Sequence, residues 1–446
     1  METPAVPMPK DARERQILDK LTVVRDQLLL LKRDRTKYIR TEDVMTLYEQ
    51  VVEQVRQLNE IRQGEHKGEN RLDKVLESCF QLISLFFMTI GRTNEVPAAY
   101  ALTSTIKRLL DHLTEARLFS PKDLDSIGAT LGKLEGILKN SNSEHSPYLV
   151  ELLAKREALC KSMLSSLREQ LNKLDEPLQA IYERLISIMR SMSLANTKTK
   201  FSMSEIQKFK TRLDDIDSSR VNSKFVDPEG KEYSGSEIVS TLLERCLVWS
   251  DIVLQRKGAI PDAFKDKYEA LTNIRNSLET LSVTQHWSLR ETDLYDWQRE
   301  LDKIDEARVD GNWLDEAGKP AELYVQRTLL YLIRRSYGYI YYLMDSSEPV
   351  SEALLPIYNQ LQTLKRCLVE VKNNGGVGSV RELYPYSMKL GSIDNMQTDG
   401  KFMIGNDIPE GQGRVSELLA ECFDLTHELQ VAAAEKEGKG ETSPAP

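Results

Sequence analysis

Cysteine is scarce. The 446-residue chain holds five, at Cys79, Cys160, Cys246, Cys367 and Cys422. They are odd in number and far apart, so no disulfide framework is expected, which fits a reducing compartment. The five histidines, His66, His112, His145, His286 and His427, never fall at metal-ligand spacing. No metal and no cofactor is therefore expected. Long apolar runs are missing as well. The greasiest stretch, Leu82 to Ile90, is far shorter than the ~20 residues a membrane helix needs, so no membrane partner is expected. Period-two alternation of Val, Ile and Thr, the mark of strands, is absent.

Positive charge is also in deficit. The net charge is −9 and the pI about 5.4. Nucleic-acid binding rests on cations that displace counterions, so nucleic acid is an unfavoured partner. The N-terminus carries Pro4, Pro7 and Pro9 and no apolar core, which is not a secretory signal. Residues 1–9 read as a disordered lead, and residues 435–446, rich in Glu, Lys, Gly and Pro, as a disordered tail. No nucleophile elbow, dinucleotide fingerprint, kinase signature or paired-histidine motif occurs, which weighs against an enzyme.

What is there is helix. Leu, Glu, Lys, Arg and Gln recur throughout, all good helix formers. Apolar residues follow helical spacing, as in Ile17, Leu21, Val24, Leu28 and Leu31, and again in Leu124, Ile127, Leu131, Leu134 and Leu138. Ser120 before Pro121 and Asp123 marks a helix start. Ser234 with Glu237, and Ser288 with Glu291, have capping-box spacing. Pro97, Pro147, Pro177, Pro261 and Pro349 suit first turns. The fold class is all-α.

An internal similarity organises the helices. An aliphatic–Tyr pair recurs at Tyr48, Tyr182 and Tyr358, with an apolar residue three on and an Arg eight on, at Arg56, Arg190 and Arg366. Each is followed by a glycine-bearing turn and a cysteine helix, at Cys79, Cys246 and Cys422. Gly64 and Gly68 mark the first turn, Gly230 the second and Gly411 the third. This reads as a repeat of a roughly five-helix unit, giving an elongated stack of helical bundles. Unit 1 covers 10–140. Unit 2 covers 146–308, with an insert at 196–233. A truncated unit 3 covers 319–434, with a Gly-rich insert at 373–413. The recurring Cys79, Cys246 and Cys422 read as small buried hydrophobes rather than nucleophiles.

The inserts are the candidate functional segments. The first is expected to hold an amphipathic helix from near Ser202, with Ile206, Phe209, Leu213 and Ile216. The second is expected to be a long ordered coil, because apolar residues from Val377 to Ile408 occur at irregular spacing. It reads as a structural lid, or as a site for a ligand or peptide. Candidate contacts are Lys389, Lys401 and Arg414, with Gly411 and Gly413 opening the last helix, and Tyr384 and Tyr386. A helix N-terminus offers free N–H groups to an anion, but no phosphate-loop lysine follows the glycines.

The aromatic stretch Tyr331, Tyr337, Tyr339, Tyr341 and Tyr342, with Arg334 and Arg335, reads mainly as core, its outward members as an interface. Trp287, Trp297 and Trp313 are expected to pack between bundles. Ser223, three residues after Arg220, and Ser443, before Pro444, match kinase spacings.

The stretch from Tyr384-Pro385-Tyr386-Ser387-Met388-Lys389 through Gly400-Lys401-Phe402-Met403-Ile404-Gly405-Asn406-Asp407-Ile408-Pro409-Glu410-Gly411-Gln412-Gly413-Arg414 resembles a fungal family of helical proteins of unknown function. The resemblance extends over most of the chain outside the tails. It implies a cytoplasmic location, with the nucleus as a second compartment, and no catalytic residues. The leading expectation is a non-enzymatic scaffold or adaptor that binds a protein partner through its inserts. The alternative is a sensor of a phosphorylated metabolite near Lys401 and Arg414.

Overall fold

A computed structural model describes residues 6–62, 69–140, 145–284 and 286–440. Its helices, in chain order, are α1 (Ala12–Arg33), α2 (Thr41–Arg62), α3 (Arg71–Thr89), α4 (Ala99–Ala116), α5 (Pro121–Lys139), α6 (Pro147–Leu171), α7 (Glu176–Asn196) and α8 (Met203–Ser218). There follow α9 (Ser236–Arg256), α10 (Asp262–Thr284), α11 (Leu294–Glu306), α12 (Leu323–Asp345), α13 (Leu355–Asn373), α14 (Tyr384–Asp394) and α15 (Gln412–Gly440). Two short strands, β1 (Gln397–Thr398) and β2 (Lys401–Phe402), form an antiparallel hairpin. The all-α expectation holds. No helix among the described residues is long and apolar enough to cross a membrane.

The chain divides into two compact units that interleave in sequence. A terminal unit takes residues 6–101, 286–295 and 346–440. A central unit takes 102–284 and 296–345.

In the terminal unit, α3 packs on α1 and α2. Asn70 and Asp73 close a capping box at its start. The greasy stretch Leu82 to Ile90 lies here and is buried all round, which is why it shows no amphipathic pattern. A second cluster joins Leu361 and Leu368 of α13 to Val415, Leu418 and Cys422 of α15.

In the central unit α5 packs on α6, α7 on α9 and α10 on α12, and α12 also meets α7 and α9. Helix α8 begins after Ser202, whose side chain accepts from the Glu205 N–H. It buries Ile206, Leu213 and Ile216 of the expected stripe, while Phe209 is half-buried. Ser120 caps α5 in a complete capping box.

Two other start signals fail. Gly235, at φ +83°, precedes α9 instead of a capping Ser234. The Ser234 N–H and Oγ instead bond Asp175 and the Lys173 carbonyl. Ser288 ends a short 3-10 turn, and Glu291 opens the next one. Pro349 also opens no helix, because α13 starts at Leu355 with Pro356 in its first turn. Trp313 is fully buried, but Trp287 is exposed, so the tryptophans do not share one role. Of the aromatic stretch, Tyr337 is core and Tyr342 is exposed.

The recurring cysteines have a structural reason. The thiols of Cys246 and Cys422 donate to the carbonyls of Leu185 and Leu361, at 3.9 and 3.5 Å, each across a gap of 61 residues. Cys79 donates to Leu21 at 3.6 Å. Its acceptor therefore lies on α1, not on the Tyr48 helix aligned with Tyr182 and Tyr358.

A further recurrence joins two loops that the helical repeat does not pair. Residues 220–232 and 308–320 form the same arch. Val221 pairs with Lys224, and Val309 with Asn312. Asp227 Oδ1 accepts from Glu229 and Lys231, and Asp315 Oδ1 from Ala317 and Lys319. Phe225 and Trp313 are buried at matching places.

Described residues near both chain ends make defined contacts. The Pro7 carbonyl accepts from the Arg71 N–H at 3.0 Å, and Pro9 accepts from Arg15 Nε at 2.8 Å. Helix α15 runs to Gly440, past the expected boundary at Ala434.

Candidate partner-binding surface

The segment between α13 and α15 is not a coil. Gly375 and Gly376, both at positive φ, turn the chain out of α13. A 3-10 turn at Val380–Leu383 leads into α14. Asp399 and Gly400 adopt φ of +51° and +74°, the left-handed pair a two-residue hairpin turn needs, and β2 returns. Gln412 then clamps the hairpin. Its side chain accepts from the Phe402 N–H at 2.9 Å and donates to the Phe402 and Pro409 carbonyls at 2.7 and 3.0 Å.

This segment has two faces. Val377, Leu383, Leu390, Ile393 and Phe402 point inward and join the α13–α15 core. Val380, Tyr384, Met388, Met396, Met403, Ile404 and Ile408 are exposed, Tyr384 at 64%, Met388 at 56% and Met396 at 54%. Tyr384 and Met388 are one turn apart on α14, so they share a face. Exposed large apolar residues are unremarkable singly, but seven within one short segment call for a reason. Flexible methionines adapt to varied apolar partners. The segment thus buries one set of apolar residues in the core and leaves another set exposed.

The other sequence candidates scatter over different roles. Lys389 and Lys401 are exposed, and neither has an ion pair among the described residues. Arg414 is already neutralised. It pairs with Glu417 at 2.8 Å and approaches Glu348 at 4.0 Å. The Glu417 hydrogen bond holds its pKa above the usual value. Gly411, at φ +97°, lies flat on the chain beneath it. A Cβ there would meet Val350 Cα at 2.8 Å and the Pro349 carbonyl at 2.9 Å. Gly413 sits in the first turn of α15 with open space around it. Tyr386 is half-buried against the core.

A buried ion pair fixes the ground on which Gly411 rests. Arg290 holds both oxygens of Glu352, at 2.5 and 2.9 Å, and bonds the carbonyls of Asp34 and Lys37. Glu352 Oε1 also accepts from the Ile39 N–H. The Ser351 N–H then bonds the Glu410 carbonyl at 3.1 Å. Both charges are satisfied, so the pair positions backbone.

In the central unit, His112 bonds Asp305 at 3.1 Å, and Tyr337 donates to Asp302 at 2.7 Å. Burial pushes Cys79 and Cys246 up to about 12, and Cys160 and Cys422 up to about 11. Burial thus disfavours the thiolate, the reactive form, at all four. Among the described residues, no group of three His, Cys, Asp or Glu side chains is placed to hold a metal. Ser223 lies in the first arch at positive φ. His66, Gly64, Gly68 and Ser443 lie outside the described residues, as does the His286 side chain.

The family model described as "Protein of unknown function (DUF2408)" matches residues 171–291 and 348–445. The first stretch holds α7–α10, and the second α13–α15. The chain is 36% identical to "Cu(2+) suppressing and bleomycin sensitive protein 1" of Saccharomyces cerevisiae, over 96% of this chain and 91% of the relative. It is 37% identical to a CUB1 family protein of Schizosaccharomyces pombe, over 96% of this chain and 94% of that one. No solved structure matches.

Proposed function

Since the chain belongs to the CUB1 family of fungal helical proteins, and neither of these two relatives bears the name of an enzyme, we propose that it is a non-enzymatic scaffold that captures a protein partner on the outer face of α14 and its hairpin. The exposed row Tyr384, Met388, Met396, Met403, Ile404 and Ile408 carries this reading. A rigid aromatic beside adaptable thioethers suits a buried anchor from a partner. The inner face, locked into the α13–α15 core, supports the same reading, since docking elements work best on a fixed base. The cytoplasmic location, with the nucleus second, goes with it and is checked by imaging a tagged chain.

The test uses point variants, because deleting 378–408 would also remove Leu383, Leu390, Ile393 and Phe402 from the core. Tyr384→Asp with Met388→Asp changes only exposed side chains. A partner recovered with the wild-type chain should fall at least tenfold with this variant. It should persist with Val283→Asp, an equally exposed apolar residue elsewhere. Equal recovery by both variants would overturn the proposed docking face.

A further inference from the structure

The central unit holds a second feature, independent of the α14 face. Arg245 lies on α9, and Arg327 and Arg334 lie seven residues apart on one face of α12. Helices α9 and α12 pack together. None of the three arginines forms an ion pair among the described residues, although nearly every other half-buried arginine near them does. Arg308, for example, pairs with Glu115 and Asp305.

The guanidinia are held in place by uncharged groups. Arg327 lies over the Trp249 ring at 5.7 Å, and Trp249 is one turn from Arg245 on α9. Arg245 donates to the Ala116 carbonyl at 2.8 Å. Three buried N–H donors here, Arg327 Nη1, Arg334 Nε and Trp249 Nε1, have no acceptor among the described residues.

Arginine does not deprotonate in proteins. A cluster of partly buried guanidinia that form no ion pair among the described residues therefore stores repulsion and unmet hydrogen bonds. Burial, then the neighbouring guanidinia, hold Arg327 and Arg334 below the usual arginine value. Arg245 is lowered the same way, with Arg117 as the neighbour. The Glu115 and Asp305 carboxylates face Arg334 but are shared with Arg308.

We propose that Arg245, Arg327 and Arg334 form a binding site for a phosphoryl group, from free inorganic phosphate or from a phosphorylated small molecule. Guanidinium forks match phosphate oxygens in planar, bidentate fashion. The bound anion would supply the missing acceptors and neutralise the cluster.

The experiment uses the full chain at constant ionic strength. Calorimetric titration and thermal shift are run with inorganic phosphate, pyrophosphate and inositol hexakisphosphate, with chloride as the blank. One saturable site is expected, with an affinity reduced at least tenfold by Arg245→Met and by Arg327→Met. Arg366→Met, an exposed change in the other unit, should leave it intact. Tightest binding of inorganic phosphate identifies the free anion as ligand. Tighter binding of the larger probes identifies a phosphorylated small molecule. The ligand-free Arg327→Met protein should melt no lower than wild type, because it has lost an uncompensated cation. A lower melting temperature in that state would mean a purely structural arginine and overturn the site. So would titration isotherms that stay flat to millimolar probe, or that are unchanged in the arginine variants.

Discussion

Replacing Gly411 by alanine should loosen the whole C-terminal half of the terminal unit. The residue sits at φ +97°, where an L side chain costs roughly 1–2 kcal/mol. Its new Cβ would also press on Val350 Cα and the Pro349 carbonyl, at 2.8 and 2.9 Å. Both are backbone atoms, held by the Ser351–Glu410 hydrogen bond and by the Arg290–Glu352 pair, so they cannot swing aside. Overpacking of this kind costs about 1–3 kcal/mol. The sum is about 2–5 kcal/mol, or at least a 30-fold rise in opening, at about 1.4 kcal/mol per factor of ten. Hydrogen exchange read by mass spectrometry on peptides from α13 and α15 measures it. Tryptophan fluorescence does not suit, because Trp249, Trp297 and Trp313 lie in the central unit and Trp287, in the terminal unit, is already exposed in the folded chain. Gly413 is the internal control. It lies in the first turn of α15, and a Cβ there would meet no atom within 4 Å, so alanine should stabilise by about 0.5–1 kcal/mol. Unchanged exchange in Gly411→Ala, or equal effects at the two glycines, would refute the close approach of backbone to backbone.

Other expectations follow from the buried polar groups. Glu352→Ala leaves Arg290 buried and unpaired and should cost about 3–5 kcal/mol. Adding Arg290→Met should recover much of that loss in the same exchange assay. Only the exposed Cys367 should react quickly with an aromatic disulfide at pH 8, and all five thiols should react after denaturation. Glu291 is buried, and burial holds its pKa above the usual 4.5, against hydrogen bonds from Ser347 and Thr89. The folded chain thus binds this proton more tightly than the unfolded chain does. Its contribution to stability is greatest below about 4.5 and declines as pH rises from there towards the folded value. Glu291→Gln should therefore flatten that slope and match or exceed wild-type stability at neutral pH, measured by urea unfolding across pH.

Much of the fold was legible because helical periodicity is local. The α8 stripe and the Ser120 cap need only neighbours in sequence to be read. The buried cysteines were recognised by recurrence, and their shared bond to a helix carbonyl supplies the cause. The Gly-rich segment was misread as coil because its glycines suggest irregular chain, while α14 is only three turns long and the hairpin is set by Asp399 and Gly400. Ser234 and Ser288 matched a capping pattern, but tertiary bonds from Asp175 and the placement of Glu291 in a 3-10 turn won locally. Arg414 was legible as a cation, and its pairing with Glu417 three residues on was within reach of the sequence; only the approach of Glu348 depends on a distant segment. The arginine cluster joins α9 to α12, and no spacing rule links those helices. The arch was available to inspection, since Arg-Val precedes an aromatic, an aliphatic and Asp-x-x-Gly-Lys at both 220 and 308.

The most direct test of the docking face is quantitative recovery of partners by the tagged full chain and by its Tyr384→Asp, Met388→Asp double variant, with hydrogen exchange confirming that α13 and α15 keep their protection. The account predicts a reproducible partner that falls at least tenfold with the double variant while the core stays intact. A partner retained at wild-type level by the double variant would contradict it.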